Sequence, residues 1–372
     1  MNACLTFKIV GIRIFDKCAP QFSEADDFER MDRMRVGVVG LGYFSQFHLI
    51  AWRDLAGCDL VGVSDLDPAL TRDVARNFDT AAFDNVADLL EADPEIIDLV
   101  VPPPAHAALI RQCLAPGRLI ICQKPFCTSL GEAKAITEEA ERAGATLIIH
   151  ENFRFQPWHR TVKALLDDGR LGQIYSARFA LRPGDGRGAE AYLARQPGFQ
   201  QMKRFLVQET AVHFIDLFRW FFGEIGSVFA DLRQLNPHIA GEDAGILTFG
   251  HTSGVRSVFD GNRLADHVSD NPRRTMGEME IVAEHGTLVL DGAGRIWLRK
   301  FGARNFDEIS LVAAVDETSF GGGCVAALIQ HAVQAHQGRH AHANLARDYL
   351  DVIRVCDAAY QSNEEERRID LN

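Results

Sequence analysis

The sequence predicts an α/β protein: an N-terminal doubly wound parallel sheet, followed by a C-terminal α+β domain with a large, mainly antiparallel sheet. Three observations predict it. From Arg35 to about Glu151, short β-branched apolar runs alternate with helical stretches, as a parallel sheet covered on both faces requires. The first run leads straight into a glycine-rich turn, Gly40-Leu41-Gly42. Beyond residue 223, strands follow one another across short turns such as Asp291-Gly292-Ala293-Gly294, which is the pattern of antiparallel neighbours.

In order, the apolar runs of the first half are 36–39, 60–63, 96–101, 119–122 and 147–149. Asp67 is placed to cap a helix, with Pro68 in its first turn and 69–77 following. Ser129-Leu130-Gly131-Glu132 reads as a capping box. Behind it Ala133, Ile136, Ala140 and Ala143 share a face, and Gly144 closes the helix. The second half opens with a helix over 158–168, in which Trp158 reads as a packing residue. A strand at 174–181 follows Gly172, then a polar, glycine-rich loop. A second helix runs from about 209 to 222 and stops at Gly223. Strands then arrive at 228–232, 246–249, 255–259, 279–283, 287–290 and 296–298, and helices at 324–336 and 345–360 end the chain. The expected organisation is an appendage over 1–33, a dinucleotide-binding domain over 34–151, and a substrate-binding and oligomerisation domain over 152–372.

Composition narrows the function. A chain of 372 residues with 47% hydrophobic content has room for two cores. Lys+Arg 39 against Asp+Glu 51 gives 39 − 51 = −12, the wrong sign for a nucleic-acid partner. Arg273-Arg274 is a local basic pair only. No apolar run approaches the roughly 18 residues of a membrane span. The eight cysteines are scattered, with no Cys-x-x-Cys pair, which fits a reducing, cytoplasmic setting. Residues 5–15 are apolar but broken by Lys8 and Arg13, with no small-x-small cleavage site, so no secretory signal is expected. Met31 or Met34 would make a natural start, because the first strand begins right after them.

The glycine-rich turn matches G-x-G-x-x-G except at its last position: Gly40-Leu41-Gly42-Tyr43-Phe44-Ser45. Gly40 permits the sharp turn, and Gly42 lets backbone approach a pyrophosphate held at a helix N-terminus. Ser45 replaces the third glycine and is small enough to keep helix and strand close. The second strand ends in Asp65, 65 − 42 = 23 residues after Gly42, where a carboxylate receives the ribose hydroxyls. A carboxylate there repels a 2′-phosphate, so NAD is favoured over NADP. Pro102-Pro103-Pro104-Ala105-His106 ends another strand at the same edge and is expected to form a loop beside the cofactor, with Pro102 and His106 as contacts. Gln123-Lys124-Pro125 places a cation just beyond a neighbouring strand, so hydride transfer is the expected chemistry.

From about Met34 to its C-terminus the chain resembles the glucose–fructose oxidoreductase, inositol dehydrogenase and MocA (Gfo/Idh/MocA) family. That family's Glu-Lys-Pro motif stands here as Gln123-Lys124-Pro125. Its second signature stands as Glu209-Thr210-Ala211-Val212-His213-Phe214-Ile215-Asp216. Two positions depart: Gln123 replaces glutamate, and Glu209 stands where aspartate is commoner. The resemblance implies a nucleotide-binding Rossmann domain and an NAD(P)-dependent oxidoreductase of sugars or polyols. It also implies a homo-oligomer, dimer or tetramer, paired through the open face of the C-terminal sheet. The stretches His150 to Trp158 and Arg204 to Thr210 resemble members acting on the branched sugar D-apiose.

The residues themselves support such chemistry. Glu209 and His213, four apart on a helix, are expected to share a face, so that Glu209 orients the imidazole or binds a substrate hydroxyl. His213 takes the hydroxyl proton as general base. Lys124 hydrogen-bonds the same oxygen and steadies its developing charge, so no metal is needed. Gln123 and Lys124 are also expected beside the cofactor. Asn152 and Arg154, at a strand end near Lys124, are candidate substrate contacts, with Arg154 equally readable as an interface ion pair. Arg204, Asn262 and His267, in or near loops, are candidates for sugar hydroxyls or a neighbouring subunit, and Asp216 reads as structural. Duller readings exist: Lys124 as a surface lysine, His213 as a satisfied helix histidine. Two other functions use the same scaffold: NAD-dependent glycoside hydrolysis through a transient keto-sugar, and a catalytically dead nucleotide-binding protein.

Overall fold

The computed structural model describes residues 33–371; the appendage expected over 1–33 lies outside them except for Arg33. Six strands form a fully parallel sheet: β1 (Met34–Val39), β2 (Cys58–Ser64), β3 (Ala81–Phe83), β4 (Ile96–Leu99), β5 (Leu119–Cys122) and β6 (Thr146–Ile149). Their order is β3-β2-β1-β4-β5-β6. Every residue of β4 and β5 is buried, because helices cover both faces. The order reverses between β1 and β4, and the crevice beyond their C-terminal ends is where such a sheet binds ligands.

The helices begin where the local chemistry directs. Helix α1 (Ser45–Asp54) follows the glycine-rich turn. Helix α2 (Pro68–Phe78) is capped by the Asp67 side chain, which accepts from the Ala69 and Leu70 amides. After α3 (Val86–Glu91) the proline run corrects an expectation. Only Pro102 is outside a helix, and Pro103 and Pro104 open α4 (Pro103–Cys113). The first helical turn has no use for the amides that proline lacks. At α5 (Leu130–Arg142) half of the expected capping box forms. Ser129 accepts from the Glu132 amide at 3.2 Å, but Glu132 turns to the Thr128 amide and hydroxyl.

The second sheet holds β7 (Ile174–Leu181), β8 (Ile225–Arg233), β9 (Ala244–His251), β10 (Arg256–Asn262), β11 (Gly277–Ala283), β12 (Gly286–Leu290), β13 (Ile296–Lys300), β14 (Asp307–Ile309) and β15 (Ile369–Asp370). The order is β14-β13-β12-β11-β7-β10-β9-β8-β15, and only the β7–β10 pairing is parallel. Apolar side chains of α6 (Pro157–Asp167), α7 (Val212–Phe222) and α9 (Ala346–Glu365) join its inner residues in one core. Trp158 is fully buried there. Helix α8 (Cys324–His336) returns from beyond this sheet to pack Val325, Leu328, Ile329 and Val333 with Val36 of the first sheet and Leu49 and Trp52 of α1. Among the described residues no helix is long and apolar enough to cross a membrane.

Candidate active site

Strands β5 and β6 pair Cys122 with Ile149, so Lys124 and Glu151 each lie two residues past a matched pair of strand ends. Opposite them, the segment before α7 winds as a π-helical turn (Leu206–Ala211) that carries Glu209, and His213 is the second residue of the α-helix proper. Between these elements lies a cavity of about 470 Å³ whose wall includes Gly42, Phe44, Gln123, Lys124, Asn152, Glu209 and His213. π-Helical turns recur at functional sites because they displace a side chain from the regular register.

Lys124 Nζ donates to the Glu209 carbonyl at 2.7 Å and to Glu209 Oε1 at 3.0 Å. Glu209 Oε2 accepts from Arg263 Nη1 at 3.1 Å. Burial alone would raise the Glu209 carboxyl, but Lys124 and then Arg263 override it and hold it at about 2. Arg263 is 1% exposed. It also reaches Asp185 and the Tyr192 hydroxyl, and lies over the Tyr192 and Phe205 rings at 5.1 and 4.7 Å.

The expected Glu209–His213 partnership is corrected here. His213 Nδ1 lies 2.5 Å from Glu151 Oε1, while the wider π turn hands Glu209 to Lys124 and Arg263. The Tyr349 hydroxyl donates to Glu151 Oε2 at 3.2 Å. Burial pushes the Glu151 carboxyl up, yet His213 and then Lys124 hold it below its ordinary value. Phe153 stacks on the His213 ring at 3.9 Å and 1°, so the ring plane is fixed by Phe153 and the tautomer by Glu151. Sequence reading passed over Glu151 as a functional residue. The signal was there: an acid two residues past a buried strand, level with Lys124.

Behind Lys124 runs a buried polar chain. Asp98 Oδ2 accepts from Trp52 Nε1 and from His48 Nδ1, each at 2.7 Å. That leaves His48 Nε2 to accept from Gln123 Nε2 at 2.8 Å. The second amide hydrogen goes to His150 Nδ1 at 3.2 Å. Burial, then His48, push His150 well below its ordinary value, so it stands as a neutral acceptor. The Gln123 carbonyl faces the Lys124 amide at 3.3 Å. Two acceptor nitrogens call for an amide, and a carboxylate has no hydrogen to give them.

The glycine turn fits a dinucleotide. Gly40 has φ +90, and a Cβ there would fall 2.4 Å from the Val100 carbonyl, so only glycine allows the turn. A Cβ at Gly42 would meet nothing within 4 Å and would point into open space: the room is kept clear beside the amides of α1. Ser45 is buried and its hydroxyl returns to the Gly42 carbonyl at 2.7 Å. Asp65 accepts from the Leu41 amide at 2.7 Å and the Asp67 amide at 3.0 Å, which sets the carboxylate against the turn. Tyr43 and Pro102 also line the cavity.

Other expected contacts are not brought to it. His106 is turned inward to the Val101 carbonyl at 2.8 Å, and burial pushes it down to about 4. Arg154 is held by Asp216 through two bonds of 2.5 and 2.6 Å, an ion pair whose two partners both belong to the 152–372 half. Burial raises the Asp216 carboxyl, against Arg154. Arg204 pairs with Asp357 at 3.0 Å and stacks on Tyr360. Asn262 caps its own turn through the Leu264 and Ala265 amides, and His267 bonds the Arg182 carbonyl at 2.7 Å. Asn152 reaches the cavity wall, with its amide on the Cys324 sulfur at 3.2 Å.

Comparison with known proteins gives the family of the chain. Residues 34–151 match a family described as an oxidoreductase family with an NAD-binding Rossmann fold, and residues 159–289 match the GFO/IDH/MocA C-terminal domain. A D-apiose dehydrogenase of Paraburkholderia graminis is 30% identical over 351 residues, covering 91% of this chain and 90% of that protein. An inositol 2-dehydrogenase of Rubrobacter xylanophilus is 28% identical over 280 residues, 73% of this chain and 76% of that one. An oxidoreductase from Agrobacterium radiobacter, solved with NAD+, L-tartaric acid and magnesium, superposes with a TM-score of 0.82 at 26% identity, covering 91% of this chain and 98% of that one. The chain therefore belongs to the Gfo/Idh/MocA family of NAD-binding oxidoreductases.

Proposed function

We propose that this chain is an NAD-dependent dehydrogenase that oxidises a hydroxyl of a sugar or polyol, with Lys124 and His213 acting on the same oxygen. The observation that carries it is one cavity walled by Gly42 of the cofactor turn, by Lys124 and by His213. A lysine ammonium has three hydrogens. Two go to Glu209, and the third is left for a substrate oxygen. His213 Nδ1 is held by ionised Glu151, so Nε2 is the nitrogen that accepts the hydroxyl proton. Lys124 then stabilises the oxygen as its charge develops. Glu209 anchors Lys124 rather than His213. The hydride acceptor that this oxidation needs would be supplied by bound NAD+. Gly40, Gly42, Tyr43, Phe44 and Ser45 seat the pyrophosphate side, and Asp65 takes the ribose hydroxyls and disfavours a 2′-phosphate.

The D-apiose and inositol dehydrogenases above are the relatives that direct the choice of substrate: an aldose oxidised at C1 to a lactone, or a cyclic secondary alcohol. No observation favours the glycosidase reading. Following the absorbance of reduced cofactor with D-apiose, other aldoses and inositols tests the proposal: one of these sugars drives steady NADH formation. Binding of NADH with no turnover across the whole panel would instead favour the non-catalytic reading.

The outer face of the second sheet is the proposed contact between copies of the chain. Phe229 is 42% and Ile246 50% exposed there, in cross-strand rows with Thr248 and with Asp231 and Asp260. Light scattering at micromolar concentration reads a dimer or tetramer; a monomer rejects this interface.

A further inference from the structure

The basic pair Arg273-Arg274 is split by the structure. Arg274 is committed: it donates to Glu317 through both terminal nitrogens and to the Ala293 carbonyl. At Arg273 only the backbone amide is engaged, by Asn271 Oδ1 at 3.2 Å. Among the described residues its guanidinium has no hydrogen bond or ion pair, although the residue is half-buried. A half-buried guanidinium with no protein partner has its whole fork free to receive an anion, and its surroundings indicate which.

Arg273 lines the cavity that Gly42, Tyr43 and Phe44 also line, and the adjoining recess with Phe47 and Phe320. The rings of Phe44 and Phe47 lie 5.6 and 6.0 Å from that of Phe320. The Arg274–Glu317 pair ties the Arg273 loop to the same place. Arg273 and the amide end of α1 thus line one cavity. That end has no cation of its own, since residues 40–47 contain neither lysine nor arginine. The other cations of the cavity are spoken for: Lys124 by Glu209, Arg263 by Asp185 and Glu209, Arg195 by Gln196 and, at 3.5 Å, by Asp185.

The geometry points to Arg273 as a pyrophosphate-binding residue, a cofactor contact supplied by the loop between β10 and β11 rather than by the parallel sheet. This rests on the dinucleotide reading above. A guanidinium fork matches phosphate oxygens two at a time, and the helix amides hold the group from the other side. Cofactor affinity then depends in part on the second sheet's side of the molecule.

Titration of NADH into the wild type, Arg273→Gln and Arg273→Lys, followed by calorimetry, tests it. The glutamine variant weakens NADH and ADP-ribose by about tenfold or more and flattens the salt dependence of binding. The lysine variant recovers part of the loss, and adenosine, which lacks phosphate, binds all three proteins alike. Unchanged NADH affinity in the glutamine variant overturns the assignment, and so does an equal loss for adenosine. Failure of the wild type itself to bind NADH overturns the cofactor reading, a separate outcome.

Discussion

Glu151 Oε1 and His213 Nδ1 meet at 2.5 Å across 62 residues of sequence, and that contact decides which imidazole nitrogen is free for chemistry. The carboxylate leaves Nε2 as the acceptor.

An amide in its place can donate to Nδ1 and so push the proton onto Nε2, where it blocks the base. Glu151→Gln therefore lowers turnover on the order of a hundredfold while NADH binds as before. Steady-state kinetics beside an NADH titration check it. Undiminished turnover would show that Glu151 does not set the working tautomer of His213.

Gln123 sits between two acceptor nitrogens, His48 Nε2 and His150 Nδ1. Gln123→Glu restores the commoner family residue but removes both donors, and buries a charge. The variant loses about 2 kcal/mol or more at neutral pH. It regains part of this as the pH falls and an imidazole takes up a proton to pair with the new carboxylate. Thermal melts at several pH values read both effects; a melting temperature equal to the wild type throughout would dismiss the chain behind Lys124 as incidental.

Glu209 carries a pH signature. Its carboxyl is held at about 2 against an ordinary 4.5. A depressed folded value means that the unfolded chain binds the proton more readily. The stability this group contributes is therefore complete above about 4.5 and is lost as the pH falls toward about 2. The stability gap between wild type and Glu209→Gln, from urea unfolding at successive pH values, narrows across that window. A gap independent of pH would show that the ion pairs to Lys124 and Arg263 contribute nothing.

Much of this was legible in the sequence, for physical reasons that differ by element. β5 and β7 fall where their apolar runs place them, because a strand buried among neighbours needs an unbroken or alternating pattern. β3, β14 and β15, of three, three and two residues, are too short to show a period. The proline run misled because proline breaks strands and also opens helices. Glu209 and His213 have helical spacing, but spacing alone does not reveal a π turn. Glu151 and Arg263 found their partners through strand register and long-range packing, which no local window contains. Arg204 and Asn262 had the right chemistry for sugar hydroxyls, yet each is satisfied by its own neighbours.

An amine and an imidazole acting on one substrate oxygen are the centre of the proposed chemistry. Turnover of Lys124→Met and His213→Asn, measured with the sugar that the wild type oxidises, tests this most directly. Each variant is expected to fall on the order of a hundredfold or more while binding NADH with wild-type affinity. Wild-type turnover in either one would contradict it.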